Sequence, residues 1–238
     1  SKTFILNSEE DYDLPIIFIS TDPNSFFDED TGMYVMGPNA EWQFPYFGAN
    51  FWEDWERPIH FEILEIDGSG YAANAGAKIF GGWSRGQNQK SLSIFARSQY
   101  GYSSFEYPLF PNSEVSAYEA FVLRNSGNDW TSSMLRDGFI TGLADNTDID
   151  HQLYRPAVIY LNGEYWGIQN IREKVNEHFL SSHHDIPSEH IDLLDIQGIY
   201  SENIVHGTNI DYLNLLDYLE NNDIEDSSVQ SGIEGWID

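Results

Sequence analysis

The stretch Ala75–Arg97, AGAKIFGGWSRGQNQKSLSIFAR, decides how the rest of the chain is read. Gly76-Ala77-Lys78-Ile79-Phe80 has the make-up of a strand, and Gly81 to Gln89 of a polar, glycine-rich connection. Lys90-Ser91-Leu92-Ser93-Ile94-Phe95 returns with apolar residues at alternate positions. Period-two alternation bounded by glycine is a hairpin signature. The chain carries only 11 basic residues against 39 acidic ones, yet Lys78, Arg85, Lys90 and Arg97 all fall here. A cationic loop with exposed backbone amides on so acidic a protein is a place for an anion, phosphate above all. The competing reading is a solvated hairpin tip whose cations pair with nearby carboxylates.

Outward from this hairpin, strand-like runs precede it at Leu14–Ser20 and Arg57–Ile66. Thr21-Asp22-Pro23-Asn24 reads as a turn or helix cap, and Asp67-Gly68-Ser69-Gly70 as a tight turn. Ser103–Phe110 is extended, Tyr118–Leu123 is a strand, and Trp130–Asp145 places Met134, Leu135, Phe139, Ile140 and Leu143 on one helical face. Pro156–Leu161 and Glu164–Ile171 flank Asn162-Gly163, a dipeptide that suits a type I′ hairpin turn. Helices are expected at Glu173–Ser182, Asp211–Asn221 and from Ser227 to the end, with a short strand at Ile191–Ile196. Strands first and helices later predict an α+β fold, an antiparallel sheet with helices packed on it. No internal repeat or low-complexity linker appears, so residues 1–238 read as one domain, with 1–55 as an aromatic-rich lead-in.

Hydrophobic residues make up 41 % of the chain and aromatic ones 15 %, which excludes simple disorder. The net charge of −28 repels a nucleic-acid backbone and disfavours an anionic membrane surface. No apolar run reaches the roughly 18 residues of a spanning helix, so no membrane insertion is expected. Without cysteine there are no disulfides, thiolate zinc sites or cysteine nucleophiles. The opening Ser1-Lys2-Thr3, with neither initiator methionine nor signal peptide, reads as a processed or excised piece of a longer polypeptide.

Several motifs carry chemistry only weakly. Gly82-Trp83-Ser84-Arg85-Gly86 matches a nucleophile elbow, but the helix that should follow is replaced by Gln87-Asn88-Gln89-Lys90 and a strand. Asp28-Glu29-Asp30 and Asp145–His151 are oxygen-rich enough for calcium, yet both also suit ordinary acidic turns. His183-His184 with His190 is a poor zinc set, because adjacent histidines on a helix point apart. The aromatic run Trp42–Trp55 can stack on a glycan or pack over a core. The stronger constellation is Lys90 with Glu173, a lysine after a glycine-rich loop and a glutamate expected to open a helix, the pairing that phosphoryl-transfer sites use.

Five segments carry a family resemblance. They are Leu14-Pro15-Ile16 with Thr31–Val35; Trp55-Glu56-Arg57-Pro58; Gly76 through Lys90-Ser91; Leu123–Asp129 with Arg136-Asp137; and Leu161–Gly167 with Arg172-Glu173-Lys174. Together they make the chain resemble the spore-coat-protein-H (CotH) kinase family, an atypical protein-kinase-like group, over roughly residues 14–195. The resemblance implies the N-terminal, ATP-binding portion of a kinase-like fold. Gly81, Gly82, Ser84 and Arg85 would lie on the ATP phosphates, Lys90 would contact them, and Glu173 would anchor Lys90. It further implies Mg2+ or Mn2+, held by two aspartates that lie beyond Asp238 in the family pattern, and transfer to hydroxyls of an extracellular or surface protein. The 238 residues alone are then expected to be inactive. The rival expectation is a non-catalytic extracellular binding or adhesion module for a glycan or protein partner.

Overall fold

Apolar residues at alternate positions give each strand of the N-terminal unit one greasy side, and that side becomes the inside of a closed barrel. A computed structural model describes residues 13–196 and 202–235. They form two units that meet in sequence between Lys174 and Val175. The first runs through β1 (Ile16–Ser20), α1 (Pro23–Phe27), β2 (Arg57–Leu64), β3 (Gly70–Phe80), β4 (Ser91–Phe95), β5 (Ala120–Arg124), α2 (Arg136–Gly142), β6 (Tyr154–Leu161) and β7 (Glu164–Glu173). The barrel order is β1-β2-β3-β4-β5-β7-β6. β1 and β6 close it as a parallel pair, Ile16 opposite Val158 and Ile19 opposite Leu161, while the other neighbours are antiparallel.

This overturns the expected antiparallel sheet with helices packed on it, and with it the expected N-terminal portion of a kinase-like fold. Ile17 and Ile19 of β1, Ile59, Phe61 and Ile63 of β2, Leu92 and Ile94 of β4, and Ile171 of β7 all join one core cluster. The apolar rows meet one another across the lumen, so the sheet needs no helix to cover them. Ala73, Ala75 and Ala77 on β3 are small and buried, leaving space for larger rings from elsewhere. Phe61, Phe105 and Phe121 fill it edge-to-face, with centroids 5.1 Å, 5.6 Å and 5.7 Å apart. Burying each such ring contributes about 2–3 kcal/mol.

Local chemistry sets the corners. Asn162 and Gly163 take φ of 50° and 87°, as a type I′ turn requires. The same asparagine accepts from the Thr21 amide (2.9 Å) and donates its own to the Ile19 carbonyl (2.8 Å), so the turn also clasps the end of β1. Asp22 caps α1 through the Asn24 amide, with proline at the first helical position. The chain after α1 folds back, Met33 and Tyr34 donating to the Ser25 and Phe26 carbonyls, which buries the Tyr34 ring in the core.

The helix expected over Trp130–Asp145 forms only at Arg136–Gly142. Asp129 holds the preceding turns instead, its carboxylate accepting from Ser133 Oγ (2.7 Å) and the Arg136 amide (3.1 Å). In the second unit α3 (Glu177–His184) is capped by Asn176. The helix predicted to open at Glu173 starts later because β7 stays paired with β5 as far as Glu173 opposite Phe121. β8 (Leu193–Ile196) and β9 (Glu202–His206) form an antiparallel pair, followed by α4 (Ile210–Asn221) and α5 (Ser227–Ile233). The polar lead-in before Asp13 and the expected helix's last residues at Ile237-Asp238 lie outside the described residues.

Candidate functional site

The Gly81–Gln89 connection is folded by glycine at one point and by side chains reaching in from below. Gly81 sits at φ 106°, where an L side chain is strained, and an added Cβ would lie 2.6 Å from Ser84 Oγ. From there Trp83–Gly86 make a single 3-10 turn, closed by the Arg85 amide on the Gly82 carbonyl and the Gln87 amide on the Ser84 carbonyl. Ser84 therefore sits in a loop leading to a strand, without the helix that a nucleophile elbow needs.

Arg85 folds back on its own loop. Its Nε donates to the Gly81 carbonyl (2.5 Å) and its Nη1 to the Phe51 carbonyl (3.1 Å), with the guanidinium over the Trp52 ring. Burial lowers its pKa, and the Asp54 charge opposes that. Lys90 supports the loop from inside the barrel mouth. Its Nζ donates to the Arg85 carbonyl (2.8 Å) and the Gln87 carbonyl (2.9 Å) and lies 3.9 Å from the centre of the Phe51 ring. Its amide donates to Tyr34 Oη (2.6 Å) and its carbonyl accepts from Gln169 Nε2 (2.7 Å). Burial brings the Lys90 ammonium down to about 8 from the ordinary 10.5 and pushes the Tyr34 phenol up to about 12.

Asn125, fully buried at the end of β5, is the hub that sequence reasoning missed. Its Nδ2 donates to the Gln89 carbonyl (2.6 Å) and more weakly to that of Ser84 (3.4 Å). Its Oδ1 accepts from Ser91 Oγ (2.9 Å) and the Gly127 amide (3.0 Å). Gln89 in turn donates to the Trp166 carbonyl (2.7 Å), and the Trp166 indole donates to Tyr34 Oη (3.0 Å). In sequence Asn125 looks like one more polar turn residue, and only its place beside Ser91 across two strands gives it four partners.

The loop thus spends its acceptors inward. The carbonyls of Gly81, Gly82, Ser84, Arg85, Gln87 and Gln89 all receive hydrogen bonds from the chain. Among the described residues the amides of Gly82, Trp83 and Ser84 receive no such partner, and a Cβ added at Gly82 would meet nothing within 4 Å. Consecutive unspent N–H groups beside open space, with two cations beneath, suit an anion. The four cations of the hairpin divide accordingly. Lys78 pairs with Asp54 (3.0 Å) and Arg97 with Glu56 (2.9 Å), while Arg85 and Lys90 face carbonyls.

The structure does not bring Glu173 to Lys90. Glu173 lies opposite Phe121, which lies opposite Ile94, four residues along the strand from Lys90. That offset is about 13 Å along the barrel wall. Glu173 Oε2 accepts instead from the Leu153 amide (3.0 Å) at the other end. The expected anchoring pair is replaced by carbonyl and ring contacts to Lys90.

A second buried polar group joins the outer faces of β5 and β7 to α2. Arg172, 1 % exposed, donates to Asp137 Oδ2 (2.6 Å), which also receives Arg124 (3.1 Å). The carboxylates weighed for metal have other duties: Asp28 caps its own turn through Asp30 and Thr31, and Asp145 pairs with His151 at 2.9 Å. No group of three or more histidine, aspartate or glutamate side chains that could hold a metal ion occurs among the described residues, the calcium and zinc candidates included. The calcium and zinc candidates therefore lack the ligand set of a dedicated site.

Compared with known families, the chain matches the one described as CotH kinase protein over residues 77–238, from the middle of β3 across both units. No curated protein matches it.

Proposed function

Because the chain belongs to the CotH kinase protein family, we propose that its Gly81–Lys90 loop holds the phosphates of ATP in a phosphoryl transfer to protein hydroxyls. One observation carries this reading: the carbonyls of Gly81, Gly82, Ser84, Arg85, Gln87 and Gln89 accept hydrogen bonds from the chain while the amides of Gly82, Trp83 and Ser84 stay unspent. Such a loop offers donors and positive charge to phosphate oxygens and little to a cation. Arg85 and Lys90 act first as supports that fix the loop's shape. Their charges lie just beneath it, where they offset those of a bound triphosphate.

Phosphoryl transfer gains most of its acceleration from positioning and from neutralising charge on the phosphates, a task a divalent metal performs when bound. The positioning half is what we assign to the Gly81–Lys90 loop, and we propose that the chain by itself holds the nucleotide and transfers phosphate poorly. The acceptor we propose is an extracellular or surface protein. Equilibrium dialysis against γ-labelled ATP, followed by assay of label transferred to a serine-rich acceptor, tests both halves. Bound ATP with negligible transfer is the expected result. Absence of ATP binding overturns the loop reading, and rapid transfer overturns the division of labour.

A further inference from the structure

Trp83 lies within the loop, between the unspent amides of Gly82 and Ser84, and the residue is 63 % exposed. It is not alone. Phe44 and Phe47, 42 % and 41 % exposed, meet it nearly edge-on at 6.2 Å and 6.4 Å, and Phe47 continues to Trp52 at 4.9 Å. The two segments are locked together. A Cβ on Gly86 would fall 2.7 Å from the Phe44 ring, and Arg85 bonds the Phe51 carbonyl. The aromatic connection and the glycine loop therefore present one continuous surface, half hydrogen-bond donors and half ring faces.

We propose that this aromatic surface is a stacking platform for the base of the nucleotide whose phosphates the loop holds, and that it accepts purine triphosphates with little choice of base. The inference rests on the phosphate-loop reading above and adds a second source of affinity. A phosphate held on the Gly82–Ser84 amides brings whatever is attached to it alongside the indole that separates them. Of the parts of a nucleotide, the base is flat, uncharged and apolar on both faces, which matches rings exposed in a protein of net charge −28. Stacking tolerates every base because each has a π-face, and the benzyl rings of Phe44 and Phe47 offer no donors or acceptors to read its edge. Selection between adenine and guanine is correspondingly slight.

Calorimetric titration of the whole chain with ATP, GTP and inorganic triphosphate separates the two layers of the argument. ATP and GTP should bind within about threefold of each other, and about tenfold more tightly than triphosphate. Trp83→Ala should bring ATP to the level of triphosphate measured on the same variant, and Trp83→Phe should restore most of the difference. Trp83 is exposed, so neither variant removes core packing, and an unchanged circular dichroism spectrum and urea midpoint serve as the folding control. If triphosphate binds as tightly as ATP and Trp83→Ala changes nothing, stacking is refuted while the phosphate loop stands. A strong preference for one purine refutes the claim of base tolerance. If none of the three binds, the loop reading falls and the platform with it.

Discussion

Replacing Lys90 by methionine keeps a flexible apolar stem over Phe51 and deletes the charge. In the native protein that charge is confined in the barrel mouth, 5 % exposed, with two loop carbonyls and an aromatic face for company. Burial brings its pKa from 10.5 to about 8, so native and unfolded states differ by about 3 kcal/mol in their preference for the neutral amine. Below about pH 8 both states are protonated and the folded protein bears the whole cost of confining the charge. Between about 8 and 10.5 the native state has released its proton while the unfolded chain keeps one, so stability rises with pH. Above that window both are neutral and the gain is complete. Urea unfolding of the native protein and of Lys90→Met, from pH 7 to pH 10, isolates this contribution, because the other titrating groups are common to both. The native protein should gain about 2–3 kcal/mol on the variant across the range. Two parallel stability curves would mean that solvent reaches the ammonium and that its confinement has been misjudged.

Three further outcomes are expected. Asn125→Ala strips partners from the Gln89 carbonyl and the Gly127 amide inside the protein, and should cost about 2–4 kcal/mol by urea unfolding; a loss within error of zero contradicts its role as hub. Gly81→Ala forces a Cβ onto φ 106° and against Ser84 Oγ, a strain of roughly 1–3 kcal/mol. It should weaken triphosphate binding at least as much as it lowers stability, and unaltered binding would show that the loop's shape is unimportant. Asp137→Ala leaves the buried Arg172 guanidinium without its carboxylate and should cost about 2–3 kcal/mol. Adding Arg172→Met should recover part of that loss, whereas strictly additive losses would deny that the pair is coupled.

What could be read from the sequence was what local chemistry encodes. Asn162-Gly163 announced its hairpin through backbone conformations other residues avoid, and Asp22-Pro23, legible as a turn or a helix cap, proves to cap α1. The hairpin of β3 and β4 followed from alternation, and so did the loop between them. The barrel did not follow, because its closure depends on β1 lying parallel to β6, a contact with no turn residues to mark it. Sequence order likewise suggested that Glu173 would open a helix near Lys90. Strand register decides otherwise, placing Gln169 beside Lys90 and Glu173 a full strand length away. Asn125 was hidden for the same reason, its partners at Gln89, Ser91 and Gly127 being gathered from either side of a strand pair.

The parallel seam between β1 and β6 also sets a clock on biosynthesis. Ile16 must wait for Val158, about 140 residues later, and at roughly 5–20 residues per second a ribosome needs some 7–30 s to deliver it. Throughout that interval Ile17 and Ile19 have only β2 on one side and an open edge on the other, ready to pair with any extended chain nearby. A barrel whose first described strand is also half of its closing seam carries an unpaired edge until that long-range contact forms.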